Sequence, residues 1–348
     1  MIDTHCIDET YVWEKYASKA FDMYFGGCSI CVLDIETTGL SPSGSYFVLG
    51  GLLAIGEGGE ARLKQYFAED IQEETTLLKK YIEEASEFDV ILTYNGKYFD
   101  VPFLLSRAGK KELDIFDMPH NLDLYMVLNG YSTLRKFLPN LKQKTVEDFM
   151  GLWPYRSDKI SGADSANLYR EYLYRKETYQ DTKDCIELML LHNRDDVLQL
   201  GKLLPVLEKV DFHKAMYALG FPVISGNKKL SVKSIKLDKN YLKITGFQKS
   251  APIDFISYGS ESGDCYIRFE KKQSDFELLI PVFSKAGAAV IDLLTLPVDI
   301  NDELSSFPNF ESGYLIIKNK DDIMHLEVNC FIKNYLLKTL KTLPEDII

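Results

Sequence analysis

The chain has 348 residues, more than the roughly 100 to 200 of a typical domain, and its 46% hydrophobic and 26% charged content excludes a disordered or fibrous protein, so two domains are expected. A net charge of −12 is the wrong sign for gripping long duplex DNA, yet compatible with an enzyme that touches few nucleotides and lets metal ions neutralise the phosphate. Six scattered cysteines, no charged-then-apolar leader and no run of about 18 apolar residues lead us to expect reduced thiols, a cytoplasmic location and no membrane span.

The first 210 residues or so alternate apolar strand-like runs with helical patterns, which points to an α/β layer fold. Cys28 and Cys31 make the C-x-x-C pair; with no second pair or nearby His to complete a zinc site, it reads as a buried strand entrance. Strands are predicted at Cys31 to Thr37, Tyr46 to Ile55, Leu63 to Glu69, Val90 to Tyr94 and Leu122 to Leu128. Helical patterns cover Glu74 to Ser86, Val101 to Ala108 and a long stretch from about Thr182 to Glu208. Between them, Gly151 to Gln180 reads as loop followed by helix. Past Gly220 the runs become short and β-like, at Tyr241 to Thr245, Cys265 to Glu270, Phe276 to Phe283, Ala288 to Leu293 and Gly313 to Ile317, an antiparallel sheet. Glu327 to Leu343 carries Leu and Ile at helical spacing and is expected to close that sheet. The expected division is therefore 1–215 and a smaller β-rich α+β domain at 222–348.

Three segments place carboxylates where chemistry could use them. In Val32-Leu33-Asp34-Ile35-Glu36-Thr37, positions i and i+2 share one strand face, so Asp34 and Glu36 project together; an exposed strand end is the plain alternative. In Asn95-Gly96-Lys97-Tyr98-Phe99-Asp100-Val101-Pro102, Asp100 stands where a helix cap would, and capping is its plain reading. In His192-Asn193-Arg194-Asp195-Asp196, residues four apart stack on one helix face, so His192 and Asp196 lie together, as a local salt bridge would also have them.

DIETTGL, NGKYFDVPFL and HNRDDVLQL, in this order, closely resemble the three exonuclease motifs of the DEDD superfamily on an RNase H-like fold, in particular its YprB-like branch. His120-Asn121-Leu122-Asp123-Leu124 looks like that branch too, and the similarity covers about residues 28 to 205. The resemblance implies a mixed β-sheet flanked by helices and makes Asp34, Glu36, Asp100 and Asp196 the metal-binding acids. Asp195 is left as a surface or supporting residue, and Asp123 as a supporting residue or a structural hydrogen-bonding group. The superfamily carries either Tyr or, one position further away, His before its last acid; His192 sits at the tyrosine spacing, which looks usual among YprB-like sequences.

What the resemblance implies is a hydrolase that cleaves phosphodiester bonds of single-stranded DNA or RNA from the 3′ end with two divalent cations, Mg²⁺ or Mn²⁺, which suit oxygen ligands. His192 would accept or orient the proton of the attacking water. Thr37, Thr38, Leu40, Asn95 and Phe99 would contact the terminal nucleotides. Asn227 to Lys249, with seven lysines against Asp238 and with Tyr241 and Phe247 interleaved, is a candidate strand-binding face or a solvated hairpin. The alternatives are a catalytically silent RNase H-like binding module, or a C-terminal domain that serves a protein partner.

Overall fold

The computed structural model describes residues 6–113, 118–158, 160–249, 252–259, 264–285 and 287–343. The chain forms two compact units, Met1–Ala17 with Cys28–Val210, and Ser18–Gly27 with Asp211–Ile348. The sequence expectation kept residues 18–27 with the first domain and broke the chain at 215 to 222. Instead, α1 (Lys19–Phe25) buries Phe21, Tyr24 and Phe25 within the second unit.

In chain order the first unit contains β1 (Cys6–Val12), β2 (Ile30–Thr37), β3 (Phe47–Ile55), β4 (Glu60–Phe67), α2 (Glu74–Ser86), β5 (Val90–Thr93), α3 (Asp100–Lys110) and β6 (His120–Asp123). It continues through α4 (Leu124–Tyr131), α5 (Gln143–Phe149), α6 (Gly162–Glu177) and α7 (Lys183–Lys202). Its sheet order is β1-β4-β3-β2-β5-β6, antiparallel from β1 to β2 and parallel from β2 to β6. This is the mixed sheet flanked by helices that the resemblance implies. Leu122 to Leu128 is not one strand: Asp123 ends β6 and accepts from Met126 N–H at 3.2 Å, capping α4, so the apolar run turns helical. The long helix stops at Lys202 and passes into a 3₁₀ segment, Leu204–Lys209, whose second residue, Pro205, lacks the N–H an α-helix needs.

The sheet separates two cores, and alternation along β2 sends every second side chain into the first of them. Cys31, Leu33 and Ile35 pack with Leu77, Leu78, Tyr81, Phe103 and Leu104 of α2 and α3. On the other face, Val48, Leu49 and Phe67 meet Tyr169, Tyr172, Cys185 and Met189 of α6 and α7. Asp34 and Glu36 belong to the face that α7 covers. A buried ion pair fixes α3: Arg107 donates to Glu74 of α2, through Nε to Oε1 at 2.7 Å, and Glu74 also accepts Phe47 N–H at 2.9 Å.

The second unit adds α8 (Phe212–Leu219), β7 (Pro222–Ser225), β8 (Lys228–Leu237), β9 (Tyr241–Lys249), β10 (Phe255–Tyr258), β11 (Tyr266–Glu270) and β12 (Asp275–Pro281). After them come β13 (Phe283–Lys285), β14 (Ala288–Asp292), α9 (Asn301–Leu304), β15 (Phe310–Glu311), β16 (Tyr314–Asn319), β17 (Asp322–Ile323) and α10 (His325–Thr342). Two antiparallel sheets result, β10-β11-β12-β9-β8-β7 and β13-β14-β16-β15, with β17 on β16. Gly220 ends α8 at φ 88°, and a Cβ there would sit 1.9 Å from the Val232 carbonyl oxygen. The lysine-rich stretch forms the β8–β9 hairpin, with Lys233 and Lys249 over the Phe247 ring at 4.6 and 5.8 Å, while Lys243 pairs with Glu277 at 2.6 Å. Lys228 donates to the Leu340 and Leu343 carbonyls instead of facing solvent alone. Among the described residues no helix is long and apolar enough to cross a membrane.

Candidate functional site

Three elements distant in sequence bring four acids to one cleft. β2 carries Asp34 and Glu36, the first residue of α3 is Asp100, and α7 contributes Asp196 one turn beyond His192. Asp100 is not a cap, since Phe99 holds the cap position without a side-chain bond; its Oδ1 accepts Ile35 N–H at 3.3 Å, which ties it to the backbone between the two β2 acids. Asn193 of α7 donates to Asp34 Oδ2 at 2.9 Å, and its side-chain Oδ1 accepts from Gln65 at 2.9 Å. Helix α7 can come this near because β3 offers Gly51: a Cβ there would stand 2.4 Å from Asn193 Oδ1. A bulge shifts the β2–β3 register between Glu36 and Thr37, beside the site.

His192 is buried, and its Nε2 lies 3.5 Å from both Glu36 Oε1 and Asp196 Oδ2. Its Nδ1 hydrogen-bonds Asp158, which Arg156 Nη1 also contacts at 2.8 Å. The fully buried Arg156 side chain further bonds both oxygens of Glu147 at 2.8 Å and Asp196 Oδ1 at 2.6 Å. None of Asn193, Arg156, Asp158 or Glu147 was singled out from sequence. Asp195 is buried and accepts the N–H groups of Ser157 and Asp158 at 2.5 and 2.8 Å, so it is no surface residue; it holds the Arg156 loop in place. Asp123 accepts the N–H groups of Asn95 and Lys97, each at 2.9 Å, and so shapes the loop that leads to Asp100.

Burial, then the charge of Asp196, hold the carboxyl groups of Asp34 and Glu36 well above the ordinary carboxylate range. Burial likewise pushes Asp100 up to about 7, against the lowering effect of backbone N–H groups. Burial opposes charge on the His192 ring, but the Asp158 bond and nearby carboxylates outweigh it and raise the imidazole above its usual value. Asp158 is held at about 2, where bonds to His192 and Arg156 overcome burial. Acids this reluctant to ionise together favour a cation among them. Glu36, His192 and Asp196 offer ligand atoms that all lie within 4.8 Å of one another.

The cleft has a volume of about 840 Å³. It is lined by Asp34, Glu36, Asp100, His192 and Asp196, by Thr37, Leu40, Asn95 and Phe99, and by the unanticipated Trp153, Lys144 and Arg170. Asn95 ends β5 at φ 66°, a left-handed conformation that Asn tolerates. Thr37 is partly committed, its hydroxyl donating to the Gly39 carbonyl at 2.8 Å. Thr38 is not among the lining residues: its hydroxyl accepts Tyr46 N–H at 3.0 Å and its carbonyl accepts from Arg170 at 3.1 Å, because both serve the turn after β2. Cys31, the inner member of the C-x-x-C pair, is buried in β2 on the opposite core.

Over 71 residues, 20% of this chain and 4% of the other, the chain is 49% identical to a DNA polymerase of Methanocaldococcus jannaschii. Among solved structures it is similar to the family B DNA polymerase of Pyrobaculum calidifontis, with a TM-score of 0.40, 18% identity and coverage of 52% of this chain and 25% of that one. It is also similar to an exonuclease I from Methylocaldum szegediense, with a TM-score of 0.37, 12% identity and coverage of 91% and 71%. The chain thus spans a small part of the polymerases it matches. A family model described as RNase_H superfamily matches residues 31–207, just over half of the chain, and with that match the protein belongs to the RNase_H superfamily.

Proposed function

We propose that this protein is a metal-dependent 3′ to 5′ exonuclease that hydrolyses phosphodiester bonds of single-stranded DNA or RNA, on the YprB-like branch of the DEDD enzymes. The observation that carries the reading is the meeting of Asp34, Glu36, Asp100 and Asp196, from three separate segments, in one cleft beside His192. Their all-oxygen donor set fits Mg²⁺ or Mn²⁺ better than zinc, and the raised pKa values of Asp34, Glu36 and Asp100 fit a site completed by cations. Asp34, Glu36, Asp100 and Asp196 would hold the divalent ions in the cleft. Bound divalent cations supply charge neutralisation of the phosphate and make water a better nucleophile near neutral pH.

The chain's own residues do the rest. With Nδ1–H directed at Asp158, the Nε2 lone pair of a neutral His192 faces the acids and can take a proton from water. Arg170 places positive charge along the cleft for phosphate oxygens, while Lys144 is paired with Asp158 at 3.3 Å, and Leu40, Phe99 and Trp153 offer apolar faces to terminal bases. One observation favours a silent binding module instead: Arg156 already sets a cation on Asp196. Digestion of 5′-labelled DNA and RNA oligonucleotides in Mn²⁺, Mg²⁺ or EDTA decides. A metal-dependent ladder that shortens from the 3′ end and disappears in Asp34→Ala is expected, and cleavage undiminished in that variant overturns the assignment.

A further inference from the structure

One stretch of this acidic chain runs against its overall charge. Residues 124–146 hold Arg135, Lys136, Lys142 and Lys144 and no Asp or Glu, in a protein with 52 acids. This stretch lines a second groove of about 670 Å³, whose walls include Tyr94, Tyr125, Arg135, Leu138 and Lys142, and no acid lines it. Tyr94, Asn95, Lys142 and Gln143 border both this groove and the carboxylate cleft, so one surface runs into the other. Arg135, Lys136 and Lys142 have no carboxylate partner among the described residues, in contrast to Arg156 and Arg107, which are neutralised by buried acids.

The aromatic content is equally specific. Tyr94 and Tyr125 lie half-buried with ring centroids 6.0 Å apart, and the Tyr94 hydroxyl is anchored by donation to the Leu141 carbonyl at 2.6 Å. Phe137 does not line the groove but adjoins its wall residue Leu138 in sequence, and it is 74% exposed. Unpaired cations suit phosphates, and accessible ring faces suit unstacked bases at about 1–3 kcal/mol per base, whereas a duplex keeps its bases stacked inside.

We propose that this second groove is a track for single-stranded nucleic acid, holding the part of the strand that lies beyond the nucleotide in the carboxylate cleft. The proposal rests on the nuclease reading for the occupant of the cleft, but its own test is binding. Full-length parent and Arg135→Glu protein are titrated in EDTA into fluorescein-labelled oligo-dT and oligo-rU of about 4 and about 12 nucleotides, with fluorescence anisotropy as readout. Expected is about tenfold weaker binding of the longer strands by the variant, less than twofold change for the shorter ones, and a salt slope lower by roughly 0.7. Arg135→Lys should restore most of the affinity. Hydrolysis of the p-nitrophenyl ester of thymidine 5′-monophosphate with Mn²⁺, a substrate too short to leave the cleft, should be unchanged in Arg135→Glu. Equal losses for short and long strands, or none for the long ones, overturns the track. If the parent hydrolyses nothing while the length-dependent loss persists, the nuclease reading fails and the track stands.

Discussion

Replacing Asp100 by Asn should make the metal-free protein more stable at about pH 8 and less responsive to Mn²⁺. The side chain is 5% exposed, and Asn keeps an oxygen to accept Ile35 N–H. Its folded pKa of about 7 lies above the ordinary 3.8, so the folded state binds protons more tightly than the unfolded chain. The penalty on the ionised group is then full above pH 7, shrinks as pH falls through that value, and is gone below the unfolded pKa. Three units correspond to about 4 kcal/mol, or on the order of 10 °C in melting temperature for a unit of this size. Excess Mn²⁺ at about 100 times its Kd stabilises the parent by roughly 2.7 kcal/mol through mass action, and the variant should lose most of that gain. The assay is a set of melting curves of parent and variant in EDTA and in Mn²⁺, at about pH 5 and about pH 8. A variant that melts below the parent in EDTA at the higher pH, and gains as much from Mn²⁺, would refute the shared site.

Arg156→Met should cost about 3–5 kcal/mol of stability, read as a lower urea midpoint, since Glu147 and Asp158 lose a fully buried cation; an unchanged midpoint contradicts the pairing. If His192 takes the proton, kcat/KM should rise with pH and flatten above a pKa higher than the usual value of about 6.5. Asp158→Asn should then move that inflection to lower pH. Because the folded His192 pKa is raised, its stabilisation is full below the unfolded value and lost as pH rises through the folded one, so the stability gap of Asp158→Asn should narrow on the alkaline side. An inflection that stays put assigns the titration to another group. Ending the chain after Gly220 should yield aggregated protein on size exclusion, since Phe221, Asn329 and Lys333 would no longer cover α1. A monomeric truncation with the parent's melting curve would contradict that packing.

That Asp34 lies with Glu36, and His192 with Asp196, was legible because periodicity fixes direction, i and i+2 on β2 and i and i+4 on α7, whereas the choice of Asp196 over its neighbour Asp195 came from the resemblance. That Asp100 turns toward the β2 acids rather than capping α3 was legible only through resemblance, because the deciding contact is made across 65 residues to Ile35. The Arg156–Asp158 pair lies between the Trp153–Tyr155 turn and α6, where no period announces a side chain's direction. Its place depends on Asp195 holding the N–H groups of Ser157 and Asp158. Leu122 to Leu128 misled for a different reason: a short apolar run suits strand and buried helix alike, and the deciding signal was the cap at Asp123. Segment α1 carried no sign that its partners stand nearly 200 residues away.

That separation matters during synthesis. Tyr24 must wait for Phe212, whose ring it meets edge-on at 5.6 Å, and for Phe221 at 5.2 Å. At about 5–20 residues per second, those partners leave the ribosome roughly 10 to 40 s after α1, and the Asn329 bond to the Tyr24 hydroxyl at 2.8 Å comes later still. Throughout that interval Phe21, Tyr24 and Phe25 are an apolar cluster without its native cover, while the strands and helices that carry the four acids are already synthesised. The nascent chain therefore presents a chaperone with a short, early and predictable target just ahead of the strand that bears Asp34 and Glu36.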